Sequence, residues 1–169
     1  SEIVSSKFLI LPGVGSFKAG MENLRSSNLV EVLSQAVLEK KVPILGICLG
    51  MQLLAEGSEE APDTEGLGFI PGQVRKVFAN SLRLPHMGFN QVYPLKNIQN
   101  NIFQGSAKNE SPDFYFVHSY CFVPSNEEHI LATTKYGQMF VSAVCKENII
   151  GMQFHPEKNQ SNGLRILSN

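Results

Sequence analysis

The chain has 169 residues, 43% of them hydrophobic and 17% charged, with a formal net charge of −1. That length suits one domain with a sizeable core, here residues 1–169. The near-neutral charge argues against a broad basic surface for nucleic acid or an anionic membrane, and no apolar run reaches the roughly 18 residues of a membrane span.

Residues 8–11 read as a short buried strand stopped by Pro12-Gly13. Residues 17–40 carry a helical pattern in two pieces. Asn28 is placed to cap the second piece, with Glu31 as its capping-box partner. Leu29, Leu33, Ala36 and Val37 share that helix's apolar face. Residues 43–47 predict a second buried strand, 49–55 a helix and 57–65 a polar loop. GLGFIPG (66–72) is interrupted by apolar residues and proline, so it reads as a loop–strand junction and not a phosphate cradle. Strand-like segments follow at 74–78, 91–93, 114–123, 130–134, 140–144 and 148–154. Lys146-Glu147 can turn the last two as a hairpin, and 164–167 suit a closing helix. This order predicts an α/β sheet with added antiparallel strands.

The chemistry centres on Gly46-Ile47-Cys48-Leu49-Gly50, which has the spacing of a nucleophile elbow with cysteine as the nucleophile. A sharp strand-to-helix turn would lift the sulfur to the edge of the sheet. It would also set the sulfur at a helix N-terminus, where a thiolate is favoured. The N–H of Leu49 would face the same space and could bind an oxyanion. The competing structural reading is a small buried residue. The three cysteines, Cys48, Cys121 and Cys145, are an odd number in unrelated contexts. That pattern, with the absence of a secretory apolar core from SEIVSSK (1–7), predicts free thiols in a reducing cytoplasm.

A cysteine nucleophile needs a base and a group that orients the base. His129 lies in a polar stretch, and His86 and His118 fit packing roles. His155 ends an apolar strand and is followed by Pro156-Glu157, so a carboxylate can return to the imidazole. The cysteines and histidines lack paired metal-ligand spacing, so no metal and no cofactor is expected.

GICLGMQLL (46–54) and GMQFHPEK (151–158) resemble the two signatures of the triad, or class I, glutamine amidotransferases. LPGVGSF (11–17), LPHMGFNQV (84–92) and FVHSY (116–120) are similar to the family of glutaminase subunits of imidazole glycerol phosphate synthase. The resemblance implies a flavodoxin-like, open, mostly parallel sheet with helices on both faces. It implies hydrolysis of L-glutamine to glutamate and ammonia, with Cys48 as nucleophile, His155 as proton shuttle and Glu157 orienting it. Gly13, Val14 and Gly15 match the oxyanion strand, whose N–H from Val14 or Gly15 would join that of Leu49. Gln52, Glu60, and the backbone of His118, Ser119 and Tyr120 fall where the family holds the amino-acid end of glutamine. Lys158 and Tyr120 match positions near the partner interface. The implied partner is a (β/α)8-barrel cyclase that uses the ammonia to make imidazole glycerol phosphate and AICAR in histidine biosynthesis.

Two departures accompany the resemblance. Family members open with another strand–helix unit, which SEIVSSKFLILPG lacks, so either a fragment or a shortened form is expected, with a sheet edge left bare. Phe89 stands where tryptophan is more usual. Three other readings compete: a paralogous subunit feeding a surface-sugar-modifying synthase, a non-catalytic truncated binding subunit, and a cysteine hydrolase such as a peptidase.

Overall fold

The computed structural model describes residues 2–95, 102–103 and 111–169. The first half runs β1 (Leu9–Gly13), α1 (Phe17–Ser26), α2 (Leu29–Ser34), β2 (Ile44–Cys48), α3 (Leu49–Leu53), β3 (Gly57–Ser58), β4 (Ala61–Glu65) and β5 (Gly72–Lys76). The second half runs β6 (His86–Gln91), β7 (Tyr93–Pro94), β8 (Asp113–His118), β9 (Tyr120–Pro124), β10 (Ile130–Tyr136), β11 (Gln138–Lys146), β12 (Ile149–Met152) and α4 (Gln160–Ser168).

The main sheet has six strands in the order β1-β2-β12-β11-β10-β7. It is parallel across β1, β2 and β12 and antiparallel beyond, the expected parallel core with antiparallel additions. The central β2, ILGIC, is apolar because neighbours cover both faces. One face packs on α1 to α3 through Phe17, Met21, Leu33, Met51 and Leu53, and on Val37 of the π-helical turn Gln35–Glu39 that continues α2. The other buries Ile47, Phe114, Phe116 and Phe154, with Ile166 of α4. Helices therefore flank both faces. A hairpin does join β11 to an antiparallel β12, but its turn is Glu147-Asn148, with Glu147 at φ +52°, while Lys146 stays in β11 opposite Ile149.

Four other local expectations are corrected. Asn28 sits between α1 and α2 in the left-handed region, φ 54°, and makes no capping hydrogen bond. The chain needs a sharp break there, and Asn tolerates that conformation. The side-chain cap is Ser16, whose hydroxyl accepts from the Ala19 N–H ahead of α1. Residues 57–65 form the β3–β4 hairpin instead of a loop, on a second sheet of order β4-β3-β5-β9. The stretch 114–123 is two strands, β8 pairing with β6 and β9 with β5, so the chain changes sheets at Ser119. The helix after Cys48 ends at Leu53, short of 55.

For the site, the decisive feature is register. Gly13 of β1 lies beside Cys48 of β2, and Met152 of β12 lies beside Ile47. Three strand ends thus deliver the PGVG segment, the cysteine and the approach to His155 to one edge.

Candidate active site

Cys48 ends β2 with φ 55° and ψ −111°, a strained backbone for a residue with a side chain. The flanking glycines make that turn possible. A Cβ on Gly46 would lie 2.8 Å from the Gly50 carbonyl. A Cβ on Gly50 would lie 1.7 Å from the Leu11 carbonyl of β1, so strand and turn meet with no room for a side chain. The elbow read from sequence is therefore present.

One expectation about it fails. Cys48 is 7% exposed, so the sulfur is buried and not lifted into the open. Burial pushes the thiol up to about 11, against the lowering pull of the Leu49 N–H. The charge of Glu157 adds to the rise, while the Gln153 amide and Lys158 oppose it. A five-residue α3 supplies too little N-terminal field to outweigh the loss of water.

His155 follows β12 and is 4% exposed. Its backbone N–H donates to the Tyr115 carbonyl of β8 at 2.9 Å. Pro156 starts a short 3-10 turn, Pro156–Lys158, that brings Glu157 back over the ring. The Glu157 carboxylate lies 2.7 Å from His155 Nδ1. A carboxylate only accepts, so Nδ1 carries the hydrogen, and in the neutral ring Nε2 carries the lone pair. Nε2 is buried and has no hydrogen-bond partner among the described residues. An unpaired buried acceptor is costly, and it is the form a general base takes before its proton arrives.

In front of Cys48 lies a cavity of ≈ 320 Å³. Val14, Gly15, Leu49, Gln52, Glu60, His118, Ser119 and Tyr120 all line it with Cys48. Gly13 stays behind the wall, where its position would leave a Cβ 3.1 Å from the Leu49 Cβ. Gly15 is at φ +101° in open space, a conformation that suits glycine, and Val14 is exposed. Glu60 is anchored by one oxygen, which accepts from the Phe17 N–H at 2.8 Å, at the start of α1. Gln52 is buried, not on a solvated helix face. Its Nε2 donates to the Tyr120 carbonyl at 3.0 Å and to Gln153 Oε1 at 2.9 Å.

His118 and His86 are packing residues. Their rings are joined Nδ1 to Nε2 at 3.0 Å, His118 also donates to the Tyr120 carbonyl, and His86 stacks on Phe116 and Tyr136. Burial lowers both, His86 to about 4 and His118 to about 3, so both rings are neutral. Lys158 is exposed, with its ammonium 4.5 Å above the Tyr115 ring. Among the described residues no three His, Cys, Asp or Glu side chains gather to hold a metal. Sequence reasoning missed Gln153, fully buried beside the sulfur, and the wall residues Pro85 and Val117. A polar residue inside IIGMQF was the available signal, because a buried amide must find partners.

The model of the glutamine amidotransferase class-I family matches residues 2–169. The chain belongs to that family. The amidotransferase is 48% identical over 162 residues to imidazole glycerol phosphate synthase subunit HisH 1 of Campylobacter jejuni, covering 95% of this chain and 78% of the relative. It is 45% identical over 169 residues to subunit HisH 2 of the same synthase from Pseudomonas aeruginosa, covering 99% and 81%. Among solved structures, a glutamine amidotransferase crystal structure superposes with a TM-score of 0.70 at 20% identity, covering 96% of this chain and 78% of that one. The glutaminase domain of CTPS from Trypanosoma brucei gives 0.64 at 19%, covering 99% and 70%. At that identity the likeness speaks for the fold alone. Family membership makes the amidotransferase a glutamine-hydrolysing enzyme.

Proposed function

We propose that the chain is the glutaminase subunit of an imidazole glycerol phosphate synthase, working in the cytoplasm in histidine biosynthesis. The observation that carries the chemistry is the imidazole of His155, clamped at Nδ1 by Glu157 and without a partner at its buried Nε2 among the described residues, on the same sheet edge as a cysteine on a strained elbow. The names of relatives at 45–48% identity support the pathway.

In this reading glutamine enters the cavity before Cys48. Glu60, with one oxygen already occupied by Phe17, offers the other to the substrate ammonium. Gln52 and the turn at His118-Ser119-Tyr120 hold the same end. The Cys48 thiol gives its proton to His155 Nε2 as the sulfur attacks the amide carbon. The oxyanion is held by the Leu49 N–H and by one from Val14 or Gly15. His155 passes the proton to the departing ammonia, then takes one from the water that hydrolyses the thioester. Glu157 steadies the imidazolium in between.

The ammonia goes to a (β/α)8-barrel cyclase. Val14 on the cavity wall and Met87 and Phe89, just beyond the wall residue Pro85, are exposed apolar side chains. Such a rim supports docking of a partner there, with Tyr120 and Lys158 at its edge. A resting thiol near 11 supports low activity until the loaded partner reshapes the PGVG segment.

The test is glutamate release by the purified chain, alone and with a barrel cyclase plus its nucleotide substrate. Strong stimulation is expected, with a glutamine-analogue electrophile labelling Cys48 and sparing Cys121 and Cys145. Stimulation below about threefold would remove the gating part of the proposal. Label on another cysteine would remove the nucleophile.

A further inference from the structure

Gln153 is fully buried at the end of β12 and reaches the nucleophile itself, its Nε2 lying 3.7 Å from Cys48 Sγ. The orientation of that amide follows from its neighbours. The Tyr120 carbonyl can only accept, so the Gln52 atom facing it is Nε2. The same nitrogen then donates to Gln153, which must present Oε1 to it. The Gln153 Nε2 is left to face the sulfur. The Leu49 N–H also donates to that sulfur. With two donors aimed at it, the sulfur turns its own hydrogen elsewhere, and His155 Nε2 is one of the buried atoms left without a partner among the described residues.

We propose that Gln153 is a positioning residue for the nucleophile: its amide bridges the Cys48 sulfur and Gln52, holds a donor on the sulfur, and couples the thiol to the substrate pocket. The coupling arises because Gln52 lines the cavity. A glutamine that pulls on Gln52 moves the Gln153 carbonyl, and through the same rigid amide the donor on the sulfur. Removing the amide leaves the thiolate without that donor. The inference rests on the proposed role of Cys48 as nucleophile.

The experiment compares wild type with Gln153→Met, which keeps length and loses both polar atoms. Iodoacetamide alkylation of Cys48 is followed against pH by peptide-resolved mass spectrometry, with Cys121 as internal reference. The midpoint for Cys48 should rise by about one pH unit, as expected for loss of a hydrogen bond to a charged group, while Cys121 stays put. With the barrel partner present, kcat should fall about tenfold and KM move less than threefold, since the effect lies on the sulfur and not on ground-state binding. Should Gln153→Met lose a cooperative thermal transition, Gln153→Asn carries the same test, because it keeps a buried amide and withdraws it by one methylene. An unshifted Cys48 midpoint, or a kcat within about twofold of wild type, overturns the proposal. The alkylation profile needs no turnover, so a wild type that never releases glutamate would defeat the glutaminase reading while leaving the profile to judge Gln153.

Discussion

Two buried histidine centres sit within one molecule and differ in the partners of their ring nitrogens. At His86 and His118 each ring nitrogen meets a neutral partner: Asn90 on His86 Nε2, the two rings on each other, and the Tyr120 carbonyl on His118 Nδ1. At His155 one nitrogen meets a carboxylate and the other meets nothing among the described residues. Burial is common to both centres, so burial does not mark the one proposed as the base. An incomplete set of partners does, together with a charge placed to stabilise the imidazolium.

The sharpest way to break this contrast is to delete each ring. His155→Ala should lower glutamine hydrolysis about a thousandfold, measured as glutamate release with the partner present. His86→Gln should stay within about tenfold of wild type. Equal losses would erase the distinction. Next in size, Glu157→Gln keeps the shape and removes the charge. The rate should drop about a hundredfold with the fold intact by circular dichroism.

The packing pair should answer in stability instead. His86→Leu leaves His118 Nε2 buried without its donor, at a cost of about 1–3 kcal/mol in a denaturant titration. The same pair should also set the acid sensitivity. Both rings have folded-state values below the ordinary 6.5, so the unfolded chain binds more protons over the interval between them. Stability should therefore fall as pH drops from about 6.5 toward 3–4, and His86→Gln should make that slope shallower. An unchanged slope would show that the pair is not the source.

The active-site features that could be read from sequence were those written locally. Glycines on either side of Cys48 announce the elbow, and a carboxylate two positions past His155 announces the oriented base. Other features depend on distant contacts. FYFVHSYCFV is evenly apolar and aromatic, so nothing in it marks Ser119 as the point where the chain changes sheets. The APDTE segment is polar because it pairs in a small half-exposed hairpin, and polarity was read as loop. His86 and His118 are joined across two strands, and Gln52 meets Gln153 across two different elements. The burial of Cys48 is likewise a sum over neighbours from β12, α3 and the cavity wall. It reversed the expectation of a ready thiolate.

That burial has a consequence for survival between reaction cycles. Peroxides and other oxidants attack ionised sulfur, and a buried thiol pushed up to about 11 is overwhelmingly un-ionised near neutral pH. Cys48 in its resting, buried state is therefore expected to resist sulfenic acid formation, which alkylation and peroxide challenge of the unliganded chain would check.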